Sequence, residues 1–207
     1  EDRPRKEFMR HYASMDLALT KDTRNDKTCF ITVGIDKNGV IWVLDVVWER
    51  REPDDIVEEL IAEMIIHSPV LVWGEKGQIA KAIGPFMRKR MRELECWPII
   101  DEIATTTDKI ARSRSIRGRM SHGMVKFPAD AHWWPDAQQE LLKFPNGKHD
   151  DFVDALSLIG QGMDVQIPAS KSVTKVEEVV SVGSVAWMKQ SSNRRKKKQN
   201  RARAKGW

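Results

Sequence analysis

Apolar positions alternate with polar ones in some stretches of this chain and recur every three to four residues in others, and the changes of period divide it into elements. Tyr12 to Leu19 is a short apolar-containing segment interrupted by Asp16, and a polar stretch from Lys21 to Lys27 follows it. This predicts a strand and then a loop. Thr28 to Ile35 and Val40 to Trp48 are rich in β-branched and aromatic residues, with Asp36-Lys37-Asn38-Gly39 between them. That pattern predicts an antiparallel hairpin whose glycine supplies positive φ, with the strand of Asp16 as its neighbour. From Pro53 to His67 the period becomes helical. Ile56, Leu60 and Met64, flanked by Val57, Ile61 and Ile65, make one apolar stripe behind a Pro-Asp start.

Pro69 to Trp73 is a short apolar run suited to a buried central strand, closed by Gly74-Glu75-Lys76-Gly77. The helix before it is the crossover that a parallel strand requires, so the sheet is expected to be mixed. A second helix is predicted from Gln78 to about Glu95, disturbed at Gly84-Pro85, followed by a strand at Trp97 to Ile100. Lys109 to Ser121 reads as a basic helix ended by Gly123, Met124 to Phe127 as a short strand, and Pro135 to Leu142 as a third helical piece, broken by Pro145-Asn146-Gly147. A last helix, Asp150 to Met163, carries Phe152, Val153, Leu156 and Ile159 on its apolar side. From Val165 the composition loosens into Ser, Val, Lys and Glu and then a Lys/Arg tail. The expectation is an α/β domain over residues 1–164 and a linker with a disordered basic arm over 165–207. No internal repeat is present.

A chain of 207 residues suits one domain with appendages. Apolar residues at 41% and charged residues at 31% describe a soluble globular protein. No apolar run approaches the ~20 residues that cross a bilayer, and no apolar segment follows the charged first residues, so an intracellular protein without a membrane partner is expected. Cys29 and Cys96 lie far apart, which disfavours a disulfide scaffold or a four-cysteine zinc site and predicts two buried thiols. The five histidines do not form a ligand-spaced set, which disfavours a zinc enzyme. The net charge of +5 is uneven: the last sixteen residues hold eight Lys or Arg, and without them 35 − 8 = 27 basic residues face 30 acidic ones.

Five acidic residues stand out, at three places in the chain. Asp16 interrupts the first strand, Glu75 follows the central strand directly, and Asp150, Asp151 and Asp154 open the last helix. Residues at strand ends and nearby helix starts of an α/β sheet can converge in a crevice. Converging carboxylates are what hard divalent cations require, and two such ions about 4 Å apart can serve phosphodiester cleavage. Each acid also has a plainer reading, Glu75 as a solvated loop residue and the aspartates as helix caps. Asp151 and Asp154 are more telling as a pair, because a spacing of three puts both on one helix face.

The combination resembles a known family. Phe144-Pro145-Asn146-Gly147-Lys148-His149-Asp150-Asp151-Phe152-Val153-Asp154-Ala155-Leu156 is similar to the final acidic motif of the nuclease domains of tailed-phage large terminases, a turn leading into a His-Asp-Asp-x-x-Asp-Ala-Leu helix. Tyr12 to Ala18, followed by Asp26-Lys27-Thr28 and a hydrophobic strand, resembles the first motif, and Val70 to Glu75 with Gly77-Gln78 the second. Leu17 stands where the family often has proline. The resemblance covers roughly residues 10 to 162. It implies a ribonuclease H-like fold, a mixed central sheet flanked by helices, and two-metal cleavage of concatemeric phage DNA around packaging. It further implies Asp16, Glu75 and Asp151 as metal-binding catalytic acids, with Asp150 and Asp154 as close supports. Resolvases of the same superfamily favour an Asp-x-x-Asp-Ala-Leu pairing that would promote Asp154. No G-x-x-x-x-G-K-[ST] loop occurs, so the ATPase motor is expected on another chain or on a longer parent.

Lys109, Arg112, Arg114, Arg117 and Arg119 form a basic run where the family carries a Lys-x-x-Arg segment, and phosphate neutralisation is expected of it, an ordinary solvated helix face being the plainer reading. Trp133 and Trp134 fit a core or docking role better than base stacking. His149 and Asp26 are candidates for supporting the ligands from outside the metal shell, with a structural helix-start role equally open for His149. The expected mechanism has Asp16 bridging two Mg²⁺ or Mn²⁺ ions, completed by Asp151 on one side and Glu75 on the other. Expected partners are double-stranded DNA and, by the resemblance, a terminase ATPase domain, small terminase and portal protein, in the host cell cytoplasm. The rival readings are a resolvase- or transposase-like nuclease and a non-catalytic DNA-binding module of the packaging complex.

Overall fold

The computed structural model describes residues 3–18, 27–77, 84–104 and 108–166. Three strands come first: β1 (Arg10–Asp16), β2 (Thr28–Ile35) and β3 (Ile41–Glu49). Helix α1 (Pro53–His67) leads to β4 (Leu71–Glu75), helix α2 (Gly84–Glu93) to β5 (Ile99–Ile103), and helix α3 (Lys109–Ser121) to the two-residue β6 (Val125–Lys126). Helices α4 (Trp134–Lys143) and α5 (Asp151–Gln166) complete the described chain.

The strands form one sheet in the order β5-β4-β1-β2-β3-β6. β2 runs antiparallel to β1 and β3, and β4, β5 and β6 pair in parallel with their neighbours. The expected mixed sheet is therefore present, and its parallel half follows the α1 crossover as the hydrophobic pattern required. Asp36 closes the hairpin by accepting from the backbone N–H groups of Asn38 and Val40, with Gly39 at φ 78°.

Helices cover both faces. One face packs Ile31, Val43, Trp73 and Val125 against Ile116 of α3, Ala137 of α4 and Phe152, Leu156 and Ile159 of α5. The other packs Ala13, Met15, Phe30 and Val72 against Ile56, Leu60 and Met64 of α1 and Met87 and Met91 of α2. Along β1 the side chains alternate between faces, so Ala13 and Met15 meet α1 while Ser14 donates through Oγ to the Ala155 carbonyl of α5 at 2.7 Å. Asp16, two residues beyond Ser14, shares the α5 face.

Several expectations shift by a few residues. The first strand ends at Asp16 rather than running past it, the fifth lies at Ile99–Ile103 rather than Trp97 to Ile100, and the last helix reaches Gln166. Ile65, placed on the α1 stripe, is exposed. Cys29 is buried as expected, whereas Cys96 is only partly so. Residues 78–83, expected to begin the second helix, Asp26 and the basic tail lie outside the described residues.

Candidate active site

Parallel strands β1 and β4 are adjacent, Met15 pairing with Gly74, so their C-terminal residues Asp16 and Glu75 end side by side at one edge of the sheet. The chain after Glu75 is tied back by β5. Lys76 donates its N–H to the Ile103 carbonyl at 2.9 Å, and Gly77, at φ 81°, donates its N–H to the Glu102 carboxylate at 3.2 Å. The first turn of α5 lies over the same edge because its body is pressed onto the sheet. A Cβ on Gly160 would stand 2.8 Å from the Ile116 backbone nitrogen, and one on Gly162 would overlap the Trp73 ring. Only glycine allows that approach.

Asp16, Glu75, Arg112, Asp154, Leu158 and Gln161 line a small cavity of about 10 Å³, room for roughly one water-sized species. Burial pushes the Asp16 carboxyl up to about 7, and the charges of Asp154, then Asp151, then Glu75 push the same way against a smaller opposing effect of Arg112. Asp154 is also raised by burial. One of its oxygens accepts from Arg112 Nη2 at 2.6 Å, and the other is buried with no hydrogen-bond partner. That oxygen belongs to a residue lining the same cavity as two further acids, Asp16 and Glu75.

Asp151 stands on the neighbouring side of α5. It lines a larger cleft of about 290 Å³ with Lys27, Trp48, Glu140, Lys143, Lys148 and His149. Its Oδ2 is 3.5 Å from the Lys27 backbone nitrogen, and Lys27 Nζ lies 5.0 Å from the centre of the Trp48 ring. The structure thus brings Asp16, Glu75, Asp151 and Asp154 to one edge, with Asp154 acting on Asp16 more strongly than Asp151 does. Asp150 forms an ion pair with Lys109 at the rim. His149 lines the Asp151 cleft.

The basic run of α3 divides by face. Lys109 and Arg112 turn toward the acids, Arg119 pairs with Asp164 at 3.2 Å, and Arg114 and Arg117 are exposed beside Ile110 and Leu141. Trp133 is buried and Trp134 stacks on Phe127 with ring centres 4.6 Å apart, so both serve the core.

Sequence reasoning missed Glu140. This α4 residue is buried and accepts from the Val153 N–H at 3.0 Å, capping the start of α5, and burial pushes its carboxyl up to about 7. Its signal was an acid three residues after Ala137 on the buried face of a helix.

No protein-family model matches the sequence, and no curated protein matches it either. Solved structures do match. The large terminase nuclease from thermophilic phage G20c, solved with bound cobalt, superimposes with a TM-score of 0.56 at 15% identity, covering 74% of this chain and 81% of that one. The fold is that of a phage large-terminase nuclease. The large terminase of another thermophilic bacteriophage, in complex with ADP, matches with a TM-score of 0.53 at 14% identity over 78% of this chain. The HK97 bacteriophage large terminase gives 0.53 at 12% identity over 72%. The present chain spans 40% and 38% of those two proteins. In this chain Asp16 and Glu75 stand at the ends of two adjacent parallel strands of that sheet.

Among the described residues, a compact group of three potential metal ligands, Asp45, Glu63 and His67, lies elsewhere in the molecule.

Proposed function

We propose that this chain is a divalent-metal-dependent DNA endonuclease, acting by two-metal-ion phosphodiester hydrolysis to cut concatemeric viral DNA during genome packaging. The observation that carries the reading is the convergence of Asp16, Glu75 and Asp154, with Asp151 adjoining, around a cavity in which one Asp154 oxygen has no partner. The donor set is all carboxylate, the chemistry that Mg²⁺ and Mn²⁺ take. Repulsion among these acids is what a cation relieves. The G20c nuclease has been solved with bound magnesium, cobalt and zinc, which supports divalent binding by this fold.

Asp16, Glu75 and the Asp151/Asp154 pair would hold the ions. When bound, such ions supply a water of lowered pKa and stabilise the departing 3′ oxygen. The protein's own groups do the rest. Arg112 holds Asp154 in place, Lys109 holds Asp150, and Glu140 fixes the start of the helix that carries Asp151 and Asp154. Lys27, Lys143 and Lys148 rim the Asp151 cleft and are suited to the phosphates of a DNA backbone running past it. Double-stranded DNA is the proposed substrate. A terminase ATPase domain, small terminase and portal protein are the proposed assembly partners, in the host cell cytoplasm, in keeping with the share of the larger terminases that this fold spans.

The test is nicking of supercoiled plasmid in Mg²⁺, in Mn²⁺ and in chelator. Wild type should cut only with metal. Asp16→Asn and Asp154→Asn should each lose more than the roughly 10- to 100-fold that outer-shell changes cost, with far-UV circular dichroism unchanged. Full activity in both variants would remove the assignment. Asp151→Asn ranks the α5 pair, a loss equal to that of Asp154→Asn showing that both aspartates act directly.

A further inference from the structure

On the opposite face of the sheet, the geometry points to a second divalent-cation site, of the zinc class, formed by Asp45, Glu63 and His67. Asp45 of β3 pairs with Thr32 of β2, which pairs with Ala13 of β1. Cross-strand partners share a face, and Ala13 packs against α1, whereas Asp16 shares the face of Ser14, which meets α5. Glu63 and His67 stand four residues apart on α1 and so lie on one side of that helix.

One ligand atom from each residue falls within 4.8 Å of the others. His67 Nε2 is 3.3 Å from Glu63 Oε2 and 3.8 Å from Asp45 Oδ2. Bonds of about 2.0–2.2 Å to a tetrahedral ion put ligand atoms about 3.3–3.6 Å apart, so the group is set to close on an ion with little movement. The His67 side chain is 5% exposed, Glu63 14% and Asp45 44%, which leaves one ligand open to solvent as a way in. Among the described residues, Nε2 of His67 has these two carboxylates as its only neighbours of opposite charge, outside good hydrogen-bond geometry, and Nδ1 is buried with no hydrogen-bond partner. Buried polar atoms of native proteins rarely remain so.

Charge agrees with this reading. The two carboxylates favour the protonated ring, so the metal-free cluster carries −1, and a divalent cation that displaces that proton brings it to zero. A mixed nitrogen and oxygen donor set suits Zn²⁺, whereas Mg²⁺ prefers oxygen alone. The ion would clip the end of α1 to the middle of β3. The end of α1 is already tied to β1, the His67 carbonyl accepting from His11 Nδ1 at 2.6 Å. The site stands whether or not the chain cuts DNA.

Zn²⁺ binding to chelator-treated full chain tests it, by calorimetry and by thermal shift. Asp16→Asn and Asp154→Asn are introduced first to silence the acidic edge. One equivalent of Zn²⁺ should still bind and raise Tm. Adding Asp45→Asn should weaken binding by more than about tenfold and cancel the rise. His67→Gln should do the same, and the visible absorption of the Co²⁺-loaded protein should lose its histidine-dependent band. If His67→Gln does not fold, the half-exposed Asp45→Asn carries the test alone. Absence of stoichiometric Zn²⁺ binding, or binding unchanged by Asp45→Asn, overturns the proposal and leaves the cluster as an imidazolium held between two carboxylates.

Discussion

Asp16 illustrates how much a single carboxyl reports about its surroundings. Its folded-state pKa, raised from 3.8 to about 7, means that the native protein holds a proton there that the unfolded chain has released. Between about pH 4 and pH 7 the unfolded state therefore binds fewer protons, and the stability of the metal-free protein falls as pH rises through that window. Asp154 and Glu140 are shifted in the same direction and add to the slope. Urea midpoints in chelator should drop from pH 5 to pH 7.5, and Asp16→Asn should flatten the drop in part. A midpoint that climbs over this range would show that the acids are not crowded. Excess Mg²⁺ should reduce the drop as well, because a cation favours the ionised form. At this scale the sequence was legible where a polar residue broke an apolar pattern, as at Asp16 and Glu75. It was less so for Asp154 against Asp151, since a spacing of three puts both on one side of a helix and only the packing of α5 on β1 decides which turns toward Asp16. Glu140 was illegible as a cap because its partner, the Val153 N–H, lies thirteen residues away across a turn.

Elements were legible where their period was long and regular. Helix α3 has the bounds that its pattern predicted, and the hairpin of β2 and β3 follows its turn residues. Edges were less so: β5, an edge strand with mostly exposed residues, has no apolar face to mark its register. What the pattern did not disclose is why α5 carries Gly160 and Gly162, residues that cost helix stability. The structure explains both, since α3 and Trp73 come too close for any Cβ. Gly162→Ala should force Trp73, the largest fully buried side chain, to move or α5 to lift. A loss of at least about 1–3 kcal/mol is expected by chemical denaturation. Because α5 also carries Asp151 and Asp154, nicking activity should fall with it even where the variant remains folded at the assay temperature. A stable, fully active Gly162→Ala protein would contradict the packing.

Across the whole molecule, the basic residues near the acidic edge fall into two groups. Runs of Lys and Arg drew attention to α3, yet Lys109 and Arg112 there are engaged with Asp150 and Asp154, while the cations that rim the Asp151 cleft, Lys27, Lys143 and Lys148, come from separate segments and form no run. Convergence from distant positions is a property of the fold, which periodicity within an element does not encode. The two groups should therefore behave differently on DNA. Lys143→Ala and Lys148→Ala should weaken binding uniformly across sequences, and each should reduce the slope of log K against log salt by about 0.9 if it removes one phosphate contact. Arg112→Ala should change that slope little, because its guanidinium is committed to Asp154, but it should lower nicking by freeing an acid that the site needs held. The basic segment from Arg194 to Lys205 lies outside the described residues, and its removal should lower affinity without changing the metal requirement. Fluorescence anisotropy with one duplex over roughly 50–200 mM salt, alongside plasmid nicking for each variant, separates these outcomes. An unchanged slope in the Lys143→Ala, Lys148→Ala double variant would place the DNA path elsewhere on the molecule.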